Sequence, residues 1–551
     1  MFSNTSVRDR LQISGMNFKN LTFFFFLVSY FTFLLLQIPK LGPTWDDWYY
    51  PKTYNDSLNF SIPDFSSFST GYGLGGFVFV DFFSRFITFD FGWLASDDFE
   101  NLSARRIILL GLSFWGAVTF RFIVRRFGFS SQIANMSTIL LLLTPNWIGQ
   151  SLINIKDIPV AVGLLLICSS LLAIIQTGNK FLNSRNQIYI FIKIVIGVQL
   201  SFGTRFGLAV YIFVATALVM IYNKYLPRKD RKTLNRNLFL SFFTGYLLLI
   251  PFNLVLINPL LFFPRAVFGT LNLFNQPAGP VLTNGSLLDG NNPPLWYLPL
   301  WTVAQMPVTY FLIITFTILY YAILLIRNFK IRDIVISRFQ PTFKLFFGNQ
   351  KFLMFSVFVF LTVAPYFSAL ILRPPLYDGD RHFLMAYPFF VYIMMLGIKK
   401  LFNYYSRKIP IIAFLLLTSI VISPTVSLLK IAPFFYSYRS ELISNPNNWE
   451  GDYMGVSLRQ AVINSNYTEA NLSYDFSDER WLVKWNQLNI ARDSKRKLEN
   501  GYLYIATRRG ARTGQYLTDC REIKNVAIDS FQKNNILAFV YVCPKEFIGN
   551  R

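Results

Sequence analysis

The stretch Leu21-Thr22-Phe23-Phe24-Phe25-Phe26-Leu27-Val28-Ser29-Tyr30-Phe31-Thr32-Phe33-Leu34-Leu35-Leu36-Gln37 carries no charged residue. A helix needs roughly 17–25 apolar residues to cross the hydrocarbon core of a bilayer, and this run is long enough. It is too long for the apolar region of an ordinary signal peptide, and no small-x-small cleavage site follows it. It is therefore expected to remain as a membrane span. Comparable runs lie at 107–123, 133–147, 158–176, 188–203, 206–222 and 238–256. After a polar loop come 301–326, 352–372, 383–398 and 411–429. The expectation is an all-α polytopic membrane protein of about eleven transmembrane helices.

Composition agrees. Of 551 residues, 53% are hydrophobic, 18% aromatic and only 15% charged, whereas a soluble domain carries about a quarter charged residues. Sixty Phe and 29 Tyr are more than one water-soluble core could hide. The net charge of +23 could suggest nucleic acid, but its distribution argues for topology. Lys and Arg concentrate in alternate loops: Arg8, Arg10 and Lys19; Arg125 and Arg126; Lys180 and Arg185; Lys224 to Arg236; Arg327 to Lys344; Lys399 to Lys408. The intervening short loops hold only scattered cations such as Lys156, Arg265, Arg373 and Arg381. By the positive-inside rule the N-terminus is cytoplasmic, and an odd number of spans leaves the C-terminal part outside.

Two parts follow. Residues 1–429 form the membrane body, with a first outer loop at 39–104 and a second at 258–300. In the first loop Phe79, Phe82, Phe83 and Phe86 alternate with Asp81, Arg85 and Asp90, a pattern suited to a helix lying on the membrane surface. Residues 430–551 turn polar and read as a small extracytoplasmic α/β domain, with a helix at 452–464 and strands at 502–506 and 536–542. Cys168 sits in a span and reads as packing. Cys520 and Cys543 share the outer part, where an oxidising compartment would permit a bridge, although sequence does not give connectivity.

Four clusters could carry chemistry. Asp46 and Asp47, within Trp45-Asp46-Asp47-Trp48-Tyr49-Tyr50, place two carboxylates at a membrane interface, where ionisable groups often mark function. A solvated loop end inside an aromatic belt is the plainer reading. Next, Gln150, Asn154, Lys156 and Asp157 crowd the turn that ends at Pro159. Asp157 could merely cap the following helix, which leaves the other three unexplained. Arg205 lies at a helix–helix turn, where a lone arginine usually snorkels to headgroups. Finally Asp378-Gly379-Asp380-Arg381-His382 opens the tenth run and contains the only histidine; Arg and His together make a good anion clamp. All four clusters fall on the outer face. Together they suit a lipid-linked phosphate: an acid–base pair for a hydroxyl, and cations for the leaving group.

These residues resemble a family. An acidic pair after the first span, the Asn-x-Lys-Asp-x-Pro run at Asn154 to Pro159, Asn292-Pro293-Pro294-Leu295-Trp296-Tyr297-Leu298-Pro299, Gly379-Asp380-Arg381-His382-Phe383, Phe435-Tyr436-Ser437-Tyr438 and Gly451-Asp452-Tyr453-Met454-Gly455-Val456-Ser457 follow one another in order. That order resembles the GT-C superfamily of polyprenyl-phosphate-sugar glycosyltransferases, in its protein O-mannosyltransferase-like and aminoarabinose-transferase-like branch. Kin usually carry Asp-Glu where this chain has Asp46-Asp47, and Trp where it has Met454. The missing His-rich lumenal repeats mean that a protein acceptor is not assumed.

The resemblance implies an inverting transfer at the plasma or inner membrane. Asp46 or Asp47, with Asp46 aligned to the first acid of the pair, would take the acceptor hydroxyl's proton. Lys156, Arg205, Arg381 and His382 would hold the donor phosphate, supported by Asn154, Asp157, Asp380 and Tyr50. The acceptor could be a lipid, glycan or protein. No cofactor is required by the residues. Some kin use a divalent cation, for which Asp157 is the candidate, although no metal-ligand cluster is evident. Two other readings compete. A lipid-linked glycan flippase or transporter predicts mid-bilayer polar residues and repeat symmetry, neither of which is seen. A polysaccharide polymerase or ligase would not need the acidic loop directly after the first span.

Overall fold

The computed structural model describes residues 18–44, 46–47, 73–87, 102–177, 184–225, 228–252, 280–328, 349–408, 410–465, 472–474, 502–507, 521–528 and 535–543. The chain opens with α1 (Phe18–Leu35) and α2 (Gly75–Ser84). There follow α3 (Leu102–Arg126), α4 (Ser131–Leu142), the short α5 (Pro145–Ser151), α6 (Asp157–Thr177) and α7 (Ser184–Leu200). Next come α8 (Ala209–Tyr222), α9 (Arg228–Leu249) and an antiparallel hairpin of β1 (Pro280–Thr283) and β2 (Ser286–Asp289). The body ends with α10 (Tyr297–Ala304), α11 (Val308–Asn328), α12 (Gln350–Thr362), α13 (Ala364–Leu372), α14 (Tyr387–Lys408) and α15 (Pro410–Ile431).

Four of the described helical stretches are long and apolar enough to cross a membrane: Leu21–Lys40, Leu102–Arg126, Asp157–Thr177 and Arg381–Asn403. The pair α12–α13 makes a fifth if its 53° bend is counted as one broken span. Phe213, Ile326 and Ile371 are exposed on the bundle surface, a disposition at home in lipid. The protein is an integral membrane protein.

Several runs expected as single spans are broken, and proline marks each break. Proline cannot donate to the helical ladder, so it opens a new helix more readily than it continues an old one. Run 133–147 ends at Leu142, and Pro145 opens α5. Run 301–326 divides into α10 and α11 around Pro307, and run 352–372 bends at Val363, just before Pro365. The basic segment expected as a loop before residue 238 is instead the start of α9, from Arg228. Lys and Arg are good helix formers, and Asp230 in the first turn favours the helix N-terminus.

At the centre stands α6, whose span is wholly buried. A helix apolar on every side must find protein on every side, and α3, α7 and α12 provide it. α6 and α7 meet at Gly163 and Gly197, where a Cβ on either would come within 2.7–2.9 Å of the other's carbonyl oxygen. Such small-residue contacts let membrane helices approach closely.

A second glycine contact locates a turn. Gly73 N–H donates to Thr204 O (3.0 Å), Gly75 N–H to Gly203 O (2.9 Å) and Gly76 N–H to Thr204 Oγ1 (2.8 Å). The Gly-rich start of α2 thus clamps the turn that carries Arg205. α2 buries Phe77 and Val80 while exposing Phe82 and Phe83. Asp81 bridges Arg85 at 3.0 Å and Arg105 of α3 at 3.7 Å.

The C-terminal part contains α16 (Leu458–Ser465) and a four-stranded sheet in the order β3 (Leu472–Tyr474), β4 (Tyr502–Thr507), β6 (Asn535–Cys543), β5 (Arg521–Ile528). β3 runs parallel to β4, and the other pairings are antiparallel. The helix expected from residue 452 begins six residues later. Asp452 instead accepts hydrogen bonds from the N–H groups of Met454 (3.1 Å) and Ser457 (2.5 Å), closing a turn through Gly455 at φ +74°. Cys520 lies outside the described residues, as does the Cys543 side chain.

Gly75→Ala is expected to lower the melting temperature in detergent, because the new Cβ would sit 2.2 Å from Gln199 O and overpacking costs about 1–3 kcal/mol. Gly111→Ala, whose Cβ would meet no atom within 4 Å, should leave it unchanged or raise it.

Candidate functional site

The site assembles at the N-terminal end of α6. Asn154 Oδ1 accepts from the backbone N–H groups of Lys156 (3.0 Å) and Asp157 (2.9 Å), so Asn154 satisfies the helix start. Asp157 is therefore released from capping, and its carboxylate turns to cations. Oδ1 pairs with Arg205 Nη2. Oδ2 accepts from Asn154 Nδ2 at 2.7 Å, lies 3.6 Å from Arg381 Nη1, and is 4.0 Å from His382 Nδ1.

His382 Nδ1 lies 2.7 Å from Arg205 Nη2. A guanidinium has no acceptor, so Nδ1 accepts, and the ring proton of the neutral imidazole sits on Nε2. Nε2 is buried and meets no hydrogen-bond partner among the described residues. Arg381 donates to Asp378 Oδ2 at 2.8 Å, and its guanidinium carbon lies 5.5 Å from the Tyr377 ring centre and 5.6 Å from that of Tyr453. Its Nε and Nη1 make no hydrogen bond among the described residues.

The two loop-one aspartates differ sharply. Asp47 Oδ2 accepts from Thr44 N (2.8 Å), Thr44 Oγ1 (3.0 Å) and Arg106 Nη2 (3.1 Å). Arg106 also donates to the carbonyls of Leu41 (3.1 Å) and Gly42 (2.6 Å), so the Asp47–Arg106 pair fastens the loop after α1 onto α3. Asp46 instead faces the α6 cluster. Its Oδ1 lies 2.7 Å from Lys156 Nζ, and its buried Oδ2 has no hydrogen-bond partner among the described residues. Tyr50 lies outside the described residues.

Asp46, Asn154, Lys156, Asp157, Arg205, Arg381 and His382 thus meet in one place. Asp380 does not join them. It turns into an adjoining pocket, accepting from Asn146 Nδ2 (2.6 Å) and Tyr387 Oη (2.9 Å). Burial there pushes its carboxyl up to about 6, opposed by the hydrogen bonds from Tyr387 and Thr302.

Sequence reasoning missed Arg106, and named Asp378 within the fourth cluster without a role. It also missed the link to the C-terminal turn: Gln150 Nε2 donates to Tyr453 Oη (2.5 Å), while Gln150 Oε1 accepts from Asn154 Nδ2 (2.8 Å). A signal for Arg106 existed. Arg105-Arg106 places two cations at the end of a span opposite Arg125-Arg126, where the positive-inside pattern predicts few.

Three carboxylates, Asp46, Asp157 and Asp378, face three permanent cations, Lys156, Arg205 and Arg381. This arrangement can take a proton at Asp46 Oδ2 and donate to an anion from Arg381 and His382 Nε2. No group of three His, Cys, Asp or Glu side chains converges among the described residues. Asp157 is already engaged by Arg205 and Asn154.

No protein-family model matches the sequence, and no curated protein matches it. Similar solved structures include the Archaeoglobus fulgidus oligosaccharyltransferase in the apo form, at 12% identity and a TM-score of 0.46 over 86% of this chain and 62% of that one. ArnT from Cupriavidus metallidurans in the apo state matches at 10% identity and a TM-score of 0.41, covering 95% of this chain and 97% of that one. ArnT bound to undecaprenyl phosphate matches at 10% identity and a TM-score of 0.34, over 95% and 98%. The chain spans only about 62% of the oligosaccharyltransferase's length.

Removing one partner of a buried ion pair costs about 3–5 kcal/mol, so Asp47→Ala, which strands Arg106, should destabilise the protein on that scale. Asp46→Asn, which keeps an acceptor oxygen toward Lys156 Nζ, should cost less than Asp47→Ala in the same denaturation experiment. For Asp380 the raised carboxyl contributes stability below the ordinary carboxylate range and loses it as pH rises through about 6. Asp380→Asn should therefore narrow the difference between melting temperatures at about pH 5 and about pH 8.

Proposed function

We propose that the protein is a membrane glycosyltransferase that moves a sugar from a polyprenyl-phosphate donor to an acceptor hydroxyl, with inversion. The observation that carries this reading is the buried Asp46 Oδ2, without a hydrogen-bond partner among the described residues and held beside a cluster of cations drawn from three distant turns. An unpaired carboxylate oxygen at such a site is costly unless it has a proton to receive.

In the proposed reaction the acceptor oxygen attacks the anomeric carbon while Asp46 takes its proton. The bond from that carbon to the phosphate oxygen breaks, and the lipid phosphate leaves with the electron pair. Arg381 and the neutral His382 Nε2–H donate to the departing phosphate, where negative charge develops. Lys156 pairs with Asp46 Oδ1 and lies next to the same phosphate. Arg205 and Asp157 act by position: they orient His382 and Arg381. Asp47 holds the loop and takes no part in proton transfer.

About eleven spans, a cytoplasmic N-terminus and an extracytoplasmic C-terminal domain belong to this reading, as does a site on the outer face. They are supported by the alternation of basic loops and by the convergence of the four outer clusters at one end of the bundle. The lipid donor would enter laterally, and a lipid, glycan or protein would supply the hydroxyl.

The test is transfer by purified protein in lipid from a panel of radiolabelled polyprenyl-phosphate sugars. General-base help contributes about 10²–10⁴-fold, so Asp46→Asn should lower turnover on that scale while the purified protein stays folded, as read from a cooperative melting transition. Undiminished transfer in Asp46→Asn would overturn the assignment of the base. Transport of intact lipid-linked sugar without bond cleavage would overturn the reaction itself.

A further inference from the structure

At the end of the bundle away from Asp157, a cavity of about 570 Å³ opens between α8 and α9. That volume falls in the range of sites that hold small molecules. Phe213, Ala217 and Met220 line its depth, and Lys224, Arg231 and Asn235 stand at its other end. From Arg205 to Lys224 the chain advances nineteen residues, about 28 Å at a helical rise of 1.5 Å, close to the full hydrocarbon thickness. Lys224 therefore lies at the membrane face opposite the Asp46 cluster. From Phe213 to Lys224 the distance is about 16 Å, roughly the depth of one leaflet.

The chemistry of the cavity follows its length. Its inner part is apolar, while Lys224 and Arg231 pair with no carboxylate among the described residues. Asn235 Oδ1 accepts from Asn223 Nδ2 at 2.8 Å, which leaves the Asn235 amide N–H groups to donate. Two cations and an amide donor at the interface, above a leaflet-deep apolar slot, match an anionic headgroup with an acyl chain below it. Basic pockets between helices at a membrane surface recognise lipid headgroups in this way. A soluble anion would leave the apolar depth unfilled, and a zwitterionic lipid would leave the pair of cations unbalanced.

We propose that this cavity seats one anionic phospholipid of the leaflet opposite the Asp46 cluster, its phosphate on Lys224, Arg231 and Asn235 and an acyl chain along Phe213, Ala217 and Met220. The site is separate from the proposed transfer reaction and does not depend on it. The helix that lines it is joined through its first turn to Arg205, so occupancy stabilises α8 from the far side.

The full-length protein in detergent is titrated with phosphatidylglycerol and, separately, with phosphatidylcholine, reading bound lipid by native mass spectrometry and the melting temperature. Phosphatidylglycerol is expected to bind and raise the melting temperature, and phosphatidylcholine to do neither. A basic residue near the membrane surface contributes about fivefold in binding, so the Lys224→Ala/Arg231→Ala double variant should bind about thirtyfold more weakly. Ala217→Trp, which fills the slot and keeps both cations, should block binding as well. Equal responses to the two lipids, or phosphatidylglycerol binding retained in both variants, would overturn the proposal. So would an equal response to glycerol phosphate, which carries the headgroup chemistry without a chain.

Discussion

A carboxylate removed from water must be answered by charge or hydrogen bonds, and Asp157, at 2% exposure, is the one on which this architecture turns. Its partners come from far apart in the chain: Arg205 before α8, Arg381 before α14 and Asn154 before α6. Meeting that demand draws three turns of the bundle to one point. It also explains local features that look unrelated. Asn154 takes over the helix start so that Asp157 need not, and glycines at 73, 75 and 76 clamp the Arg205 turn by backbone contact.

Asp46 and Asp47 show how little residue type decides once the chain has folded. The two are adjacent and chemically identical. Asp47 meets a hydroxyl, a backbone N–H and a buried guanidinium, which makes it a fastener. Asp46 meets a single ammonium with one oxygen, and its other oxygen has no hydrogen-bond partner among the described residues. The loop is held still by one carboxylate so that the other is presented in a fixed place.

What the sequence disclosed follows from where its information is local. Apolar runs and the residue types of the four clusters are written in consecutive letters, and the cluster around Asp157 was legible from them. The breaks at Pro145, Pro307 and Pro365 were also written there, although hydropathy summed over a window hides them. β4 and β6 carry a strong apolar pattern. β5, with Arg521, Glu522 and Lys524 at its start, does not, because a strand on the sheet edge needs little apolar surface. Partnership is long-range and stayed hidden: nothing near Asp380 in sequence announces Asn146, and nothing near Asp47 announces Arg106.

The loop after α1 is tied to the far end of the chain by a hydrogen bond from Gly42 N–H to Val456 O at 3.1 Å. The β1–β2 hairpin is held likewise, through Glu450 N–H to Leu282 O (2.9 Å) and Gly285 N–H to Asn448 O (2.6 Å). Main-chain ties are blind to side-chain identity. Descendants of this sequence can exchange Asn448 widely, and the buried Leu282 and Val456 for apolar residues of similar size, and keep the register, so these segments can drift apart in spelling while still bracing the same loop. Divergence at such positions is therefore a poor guide to lost activity, and two proteins sharing this brace could look unrelated when their letters alone are compared.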